Sequence, residues 1–218
     1  MMHMLDDIKA VIFDMDGTLI DSMWVWSSID DEFLSKYNLT EPDNFHEGME
    51  GKSYSEVAQY FLDIFPTLEL TLEEIMDEWN EMAHDAYMTK VPLKEGAFSF
   101  LQKMKNQGIR LGIATSNSRT LVDDTLRVLG IDSYFDAVRT SCEAGAGKPA
   151  PDVYLLVAKD LEIAPEHCLV FEDVPMGIMA GKNAGMRTCA VEDLFSAHQK
   201  EKKIELADYY IKDYYEVL

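Results

Sequence analysis

The sequence predicts an α/β fold, a doubly wound parallel sheet carrying an inserted all-α domain. Short apolar runs recur along the chain at the length of a buried strand. Amphipathic stretches of helical period separate them. Between the first run and the second, roughly 70 residues read as helix throughout, too many for a single crossover connection.

The apolar runs are residues 10–13, 111–114, 135–138, 168–171 and 188–191. Ala97, Leu101 and Met104 fall at i, i+4 and i+7, with Gly108 following as a stop. Val122, Leu126 and Leu129 repeat that spacing ahead of Gly130, and Tyr154, Ala158 and Leu161 repeat it again. Alternation of strand and helix implies parallel strands, whose ligands sit outside the carboxyl ends of the sheet. In the long insertion, Trp26, Ile29, Phe33 and Tyr37 share one helical face, as do Ile75, Trp79, Met82 and Ala86. Ser53 with Glu56 and Thr71 with Glu74 have capping-box spacing. The expected division is residues 1–20 and 93–218 as the sheet domain and 21–92 as the helical insert, with hinges near 20–23 and 89–94.

Composition narrows the function. The 218 residues include 40 acidic and 19 basic side chains, a formal charge of −21, and 47% are hydrophobic. The chain can bury a core, and its surface repels nucleic acid and anionic lipid. No apolar run approaches the ~18 residues of a membrane span, and the amino terminus has no apolar stretch of signal-peptide length. Cys142, Cys168 and Cys189 are odd in number and widely spaced, which predicts free thiols in a reducing cytoplasm. A monomer or weak homodimer is expected.

Chemistry concentrates at the expected strand ends. The first run leads into Asp14-Met15-Asp16-Gly17-Thr18. Two carboxylates at i and i+2 repel unless a cation intervenes, and a hard divalent ion such as Mg²⁺ suits them. The second run ends at Thr115-Ser116-Asn117, where a hydroxyl and free amides could meet a phosphate oxygen; Ser116, Asn117 or Ser118 would equally serve as a helix cap. Lys148 lies among glycines and prolines in residues 145–151, placed to neutralise a phosphoryl group, though read alone it is a solvated lysine on a turn. Glu172-Asp173 ends the fourth run and could complete a metal site; read alone, Asp173 is a cap before Pro175. The chain has no GxxxxGK[ST], GxGxxG or HExxH, which removes phosphate-loop, dinucleotide and zinc-helix readings.

In chain order, these four clusters resemble the motifs of the haloacid dehalogenase superfamily: DMDGT at 14–18, Thr115, Lys148 in GKPAPD, and Glu172-Asp173. The resemblance spans essentially the whole chain, including a helical cap just after the first motif, and implies a Rossmann-like core. It implies a Mg²⁺-dependent phosphatase of small phosphorylated metabolites. Asp14 would be the nucleophile and Asp16 the general acid–base; Thr115, Ser116 and Lys148 would hold the phosphoryl oxygens. Asp14, the backbone carbonyl of Asp16, and Asp173 would bind the metal, with Glu172 reaching it through water.

Within the superfamily, phosphonate cleavage is disfavoured because Asp16 is present. Beta-phosphoglucomutase chemistry is the alternative; it is disfavoured because Tyr54 stands where a cap arginine would fall and no histidine follows the first motif closely. A non-catalytic phospho-acceptor or binding protein would need neither Asp16 nor a helical lid. Lys52, before the Ser53-capped helix, is expected to meet the remote half of the substrate. Trp24 and Trp26 are expected to pack within the insert or between it and the sheet domain.

Overall fold

The computed structural model describes residues 4–218, so the first three residues of the amino-terminal segment read above lie outside it. Strand β1 (Ala10–Phe13) is followed by four helices, α1 (Met23–Lys36), α2 (Phe45–Met49), α3 (Tyr54–Ile64) and α4 (Leu72–Thr89). Helix α5 (Ala97–Asn106) leads into β2 (Arg110–Thr115), α6 (Arg119–Val128), β3 (Ala137–Thr140), α7 (Ser141–Ala144) and α8 (Asp152–Asp160). Then come β4 (Cys168–Glu172), α9 (Pro175–Asn183), β5 (Arg187–Val191), α10 (Lys200–Leu206) and β6 (Tyr209–Ile211).

Among the described residues the strands form one parallel sheet in the order β3-β2-β1-β4-β5-β6. The chain winds outward from β1 in one direction, then returns to place β4 on the other side. The switch point thus falls at β1, and a crevice opens beyond the carboxyl ends of β2, β1 and β4. Buried apolar residues fill both faces of the sheet: Phe13, Phe100, Phe171 and Tyr214 stack on one, Ile12, Val157 and Val170 pack on the other.

Two strands depart from the sequence reading. The third begins at Ala137, two residues later than expected, because a 3-10 turn occupies Asp132–Tyr134 and Asp136 is spent in pinning the strand to Leu111. This edge strand runs on through Arg139 and Thr140, which an apolar run cannot signal. The short edge strand β6 has no apolar run of its own and was not expected.

Both capping boxes form, at Ser53–Glu56 and Thr71–Glu74. The buried line of α4 is Ile75, Trp79, Ala83 and Tyr87, one residue over from the expected Met82 and Ala86. The connections flanking α1–α4 run side by side: the amide of Asp21 donates to the carbonyl of Pro92 at 2.9 Å, and that of Lys94 to Leu19 at 2.9 Å. No helix of the described residues is long and apolar enough to cross a membrane. The three cysteines are free, Cys142 exposed and the other two buried.

Candidate active site

One cavity of about 590 Å³ lies beyond the carboxyl ends of β1, β2 and β4, roofed by the helical insert. Its wall includes all eight site residues singled out from the sequence: Asp14, Asp16, Lys52, Thr115, Ser116, Lys148, Glu172 and Asp173.

The floor is a buried charge cluster. Lys148 Nζ donates to Asp14 Oδ1 at 2.6 Å and to Glu172 Oε1 at 2.5 Å. Glu172 is fully buried; Tyr154 donates to the same oxygen at 2.5 Å, and the Asp173 amide donates to Oε2 at 3.2 Å. Helix α9 makes room for this carboxylate at Gly177, where a Cβ would lie 2.0 Å from Glu172 Oε1. Asp173 Oδ1 accepts from Thr18 Oγ1 at 3.0 Å. Its other oxygen lies where a Cβ on Gly17 would approach to 2.5 Å, and Gly17 has φ +79°, so the turn after Asp16 needs glycine on both counts.

One carboxylate oxygen from each of Asp14, Glu172 and Asp173 falls within 4.8 Å of the others. Burial, with Glu172 and Asp173 beside it, pushes Asp14 well above the usual carboxylate range, and Lys148 only partly offsets this. Burial, Glu172 and Asp193 push Asp173 up to about 7. Burial alone would lower the Lys148 ammonium, but Asp14 and Glu172 outweigh it and hold it charged. Three buried carboxylates against one ammonium form a hard-oxygen donor set that fits a small divalent cation.

Asp16 stands apart from that triad. Its Oδ1 accepts from Ser22 Oγ at 2.6 Å and from the hydroxyl of Tyr87; its Oδ2 accepts from Asn117 Nδ2 at 2.9 Å. The open alternatives after β2 resolve here. Ser118 is the residue that caps α6, accepting from the Leu121 amide, while Asn117 turns to Asp16. Thr115 is buried at the strand end, and Ser116 Oγ lies 3.3 Å from Ser141 Oγ.

A family profile described as haloacid dehalogenase-like hydrolase matches residues 11–191. The chain belongs to that family. The (DL)-glycerol-3-phosphatase 1, mitochondrial, of Arabidopsis thaliana is 34% identical over 193 residues, 85% of this chain and 64% of the relative. The chain therefore spans less than two thirds of that protein. Pyrophosphatase PpaX of Bacillus cereus (strain Q1) is 30% identical over 185 residues, covering 84% of this chain and 83% of the relative. The crystal structure of CbbY from Rhodobacter sphaeroides in complex with phosphate has a TM-score of 0.84 at 23% identity, covering 96% of both chains, a likeness of fold.

In this haloacid dehalogenase-like chain, the turn carrying Lys52 is seated on the lysine loop. A Cβ at Gly51, φ +79°, would lie 2.4 Å from the Lys148 carbonyl oxygen, and one at Gly147 would lie 2.7 Å from the Ser53 amide nitrogen. Lys52 faces the cavity. Trp26 is also in the wall and packs edge-on to Tyr54 and Tyr87; Trp24 donates from its ring to the Asp21 carbonyl at 3.0 Å.

Sequence reading missed Tyr87, Tyr154, Ser22 and Lys203. Tyr87 falls off the expected stripe of α4. Tyr154 was read only as an apolar helix position. Lys203 is fully buried below the site, donating to Ser196 Oγ at 2.9 Å, and Ser196 in turn donates to the Asp173 carbonyl at 2.8 Å. Nothing local in the sequence marks a lysine of α10 as buried.

Proposed function

We propose that the protein is a Mg²⁺-dependent phosphatase of small phosphomonoesters, sugar phosphates or similar metabolites, working through an aspartyl-phosphate on Asp14. The observation that carries this reading is the convergence of Asp14, Asp173, Glu172 and Lys148 under one cavity at the sheet's switch point.

Asp14 would attack the phosphorus, forming a mixed anhydride while the bond to the leaving oxygen breaks. Asp16 would give that oxygen a proton, then take one from the water that releases phosphate and regenerates Asp14. Its three hydrogen-bond donors, Ser22, Tyr87 and Asn117, come from the hinge, the insert and the sheet domain, so they fix its carboxylate between the two. Lys148, Thr115 and Ser116 would hold the non-reacting phosphoryl oxygens. Asp14, the Asp16 carbonyl and Asp173 would hold Mg²⁺, with Glu172 anchoring Lys148 and reaching the ion through water. When bound, the ion would offset charge repulsion between carboxylate and phosphate. Residues 21–92 would act as a cap, its paired hinges allowing substrate entry and water exclusion.

Tyr54, in the position that would carry the mutase arginine, spends its hydroxyl within the insert on Met76 and Asn80, which supports hydrolysis over mutase chemistry. The test is phosphate release from a panel of phosphorylated metabolites with Mg²⁺ and with excess chelator. Release from at least one small ester, lost on chelation, is the expected result. Full activity in chelator would overturn the metal assignment, and silence across the panel the phosphatase reading.

A further inference from the structure

The cavity extends beyond the phosphoryl site into the insert, and the chemistry of that end is uneven. Trp26, Tyr54 and Trp79 form an aromatic wall, with Trp26–Tyr54 centroids at 5.9 Å and Tyr54–Trp79 at 5.7 Å. Carboxylates of Asp30, Glu47 and Glu50 line the same end. Against them stands Lys52, whose charge also helps to lower the Glu56 carboxyl. His46 lies 3.8 Å from Asp30 and 3.7 Å from Glu41, so two carboxylates flank one imidazole.

The Trp79 ring N–H is buried and has no hydrogen-bond partner on the protein, although its ring belongs to the wall. Glu50 is held in place by Gln199 Nε2 at 3.1 Å. Burial, and after it the neighbouring Asp31 and Glu41, push the Asp30 carboxyl up to about 7.

We propose that this end of the cavity selects phosphate monoesters whose remote half is uncharged and hydroxyl-bearing, and rejects those carrying a second phosphate or a carboxylate. The inference rests on the phosphatase reading above and narrows its substrate class. Carboxylates accept from hydroxyls, Lys52 donates to them, and aromatic faces pack against C–H surfaces. A second anion would meet the carboxylates of Asp30, Glu47 and Glu50 against Lys52 and the two histidines His46 and His198; like charges at close quarters repel.

The test uses matched pairs at pH 8 with saturating Mg²⁺: fructose 6-phosphate against fructose 1,6-bisphosphate, and glycerol 3-phosphate against 3-phosphoglycerate. Turnover is measured on the wild type and on the double variant Asp30→Asn, Glu50→Gln; equilibrium binding is measured on Asp14→Asn protein. The member of each pair with the uncharged remote half should win by at least about tenfold in kcat/KM and in affinity. The double variant should narrow that ratio several-fold, mainly through KM. Equal or inverted preference, an unchanged ratio in the double variant, or failure of every member with an uncharged remote half to bind would each overturn the proposal. If no ester is hydrolysed, the phosphatase reading fails separately, and the binding ratio on Asp14→Asn protein still decides the charge selection.

Discussion

The hydroxyl of Tyr87, on the last helix of the insert, donates to Oδ1 of Asp16, in the turn that follows the first strand of the sheet. The proposed acid–base is thereby oriented by a residue 71 positions away in the chain. Tyr87→Phe should leave the fold intact and slow alkyl phosphates by about 10- to 100-fold, a fraction of what general acid catalysis supplies. An aryl phosphate, whose leaving group needs little protonation, should lose much less. Steady-state rates on the two ester types check this; equal losses would mean that Tyr87 has a structural role only.

Lys52 and Lys148 should separate on the same logic. Lys148 contacts Asp14 and Glu172 and would serve the phosphoryl group common to all substrates. Lys148→Ala should damage every ester alike. Lys52→Ala should lower kcat/KM for the native substrate and change little for a small ester lacking a remote half. Comparing both variants on both substrates checks the assignment; equal losses for Lys52→Ala would leave it a general electrostatic role.

Gly177→Ala should be disproportionately harmful for a single methyl. Its Cβ would fall 2.0 Å from Glu172 Oε1, in the carboxylate that anchors Lys148. Overpacking of this kind typically costs about 1–3 kcal/mol. Denaturant unfolding should show that loss, together with reduced turnover. Wild-type values for both would mean that α9 shifts without disturbing the site.

Asp136 supplies an acid-dependent contribution to stability. The Leu111 amide, Lys105 and Arg110 hold its carboxyl below the usual range, outweighing the opposing effect of burial. Because the folded value is lowered, the contribution is present above the unfolded value of about 3.9 and is lost as pH falls through the folded one. Asp136→Asn should therefore reduce stability at neutral pH and flatten the decline below about pH 4. Unfolding curves from pH 3 to 7 check it; parallel curves for variant and wild type would rule the linkage out.

Most of the candidate site was legible in the sequence because Asp14, Thr115, Glu172 and Asp173 sit at or directly after the end of an apolar strand, where local pattern and topology coincide. Asp14 follows residues 10–13, Thr115 ends β2, and Glu172 ends β4. Lys148 was marked by its glycine- and proline-bounded loop. What escaped was long-range. Tyr87 and Lys203 reach the site through the packing of whole helices, and the stripe on α4 was read one residue off, since Met82 and Ala86 lie half-buried beside Ala83 and Tyr87. β6 is too short to stand out, and β3 was displaced by a turn that only the Asp136–Leu111 pairing reveals.

In the proposed reaction Asp14 carries the phosphoryl group during turnover. The direct measurement is acid quench of the enzyme in the steady state, reduction with borohydride, and peptide mass spectrometry across residues 9–18. Conversion of Asp14 to homoserine is expected, dependent on substrate and Mg²⁺ and absent from Asp14→Asn protein, which should not turn over. Steady phosphate release with Asp14 unmodified, or near-wild-type turnover by Asp14→Asn, would contradict it.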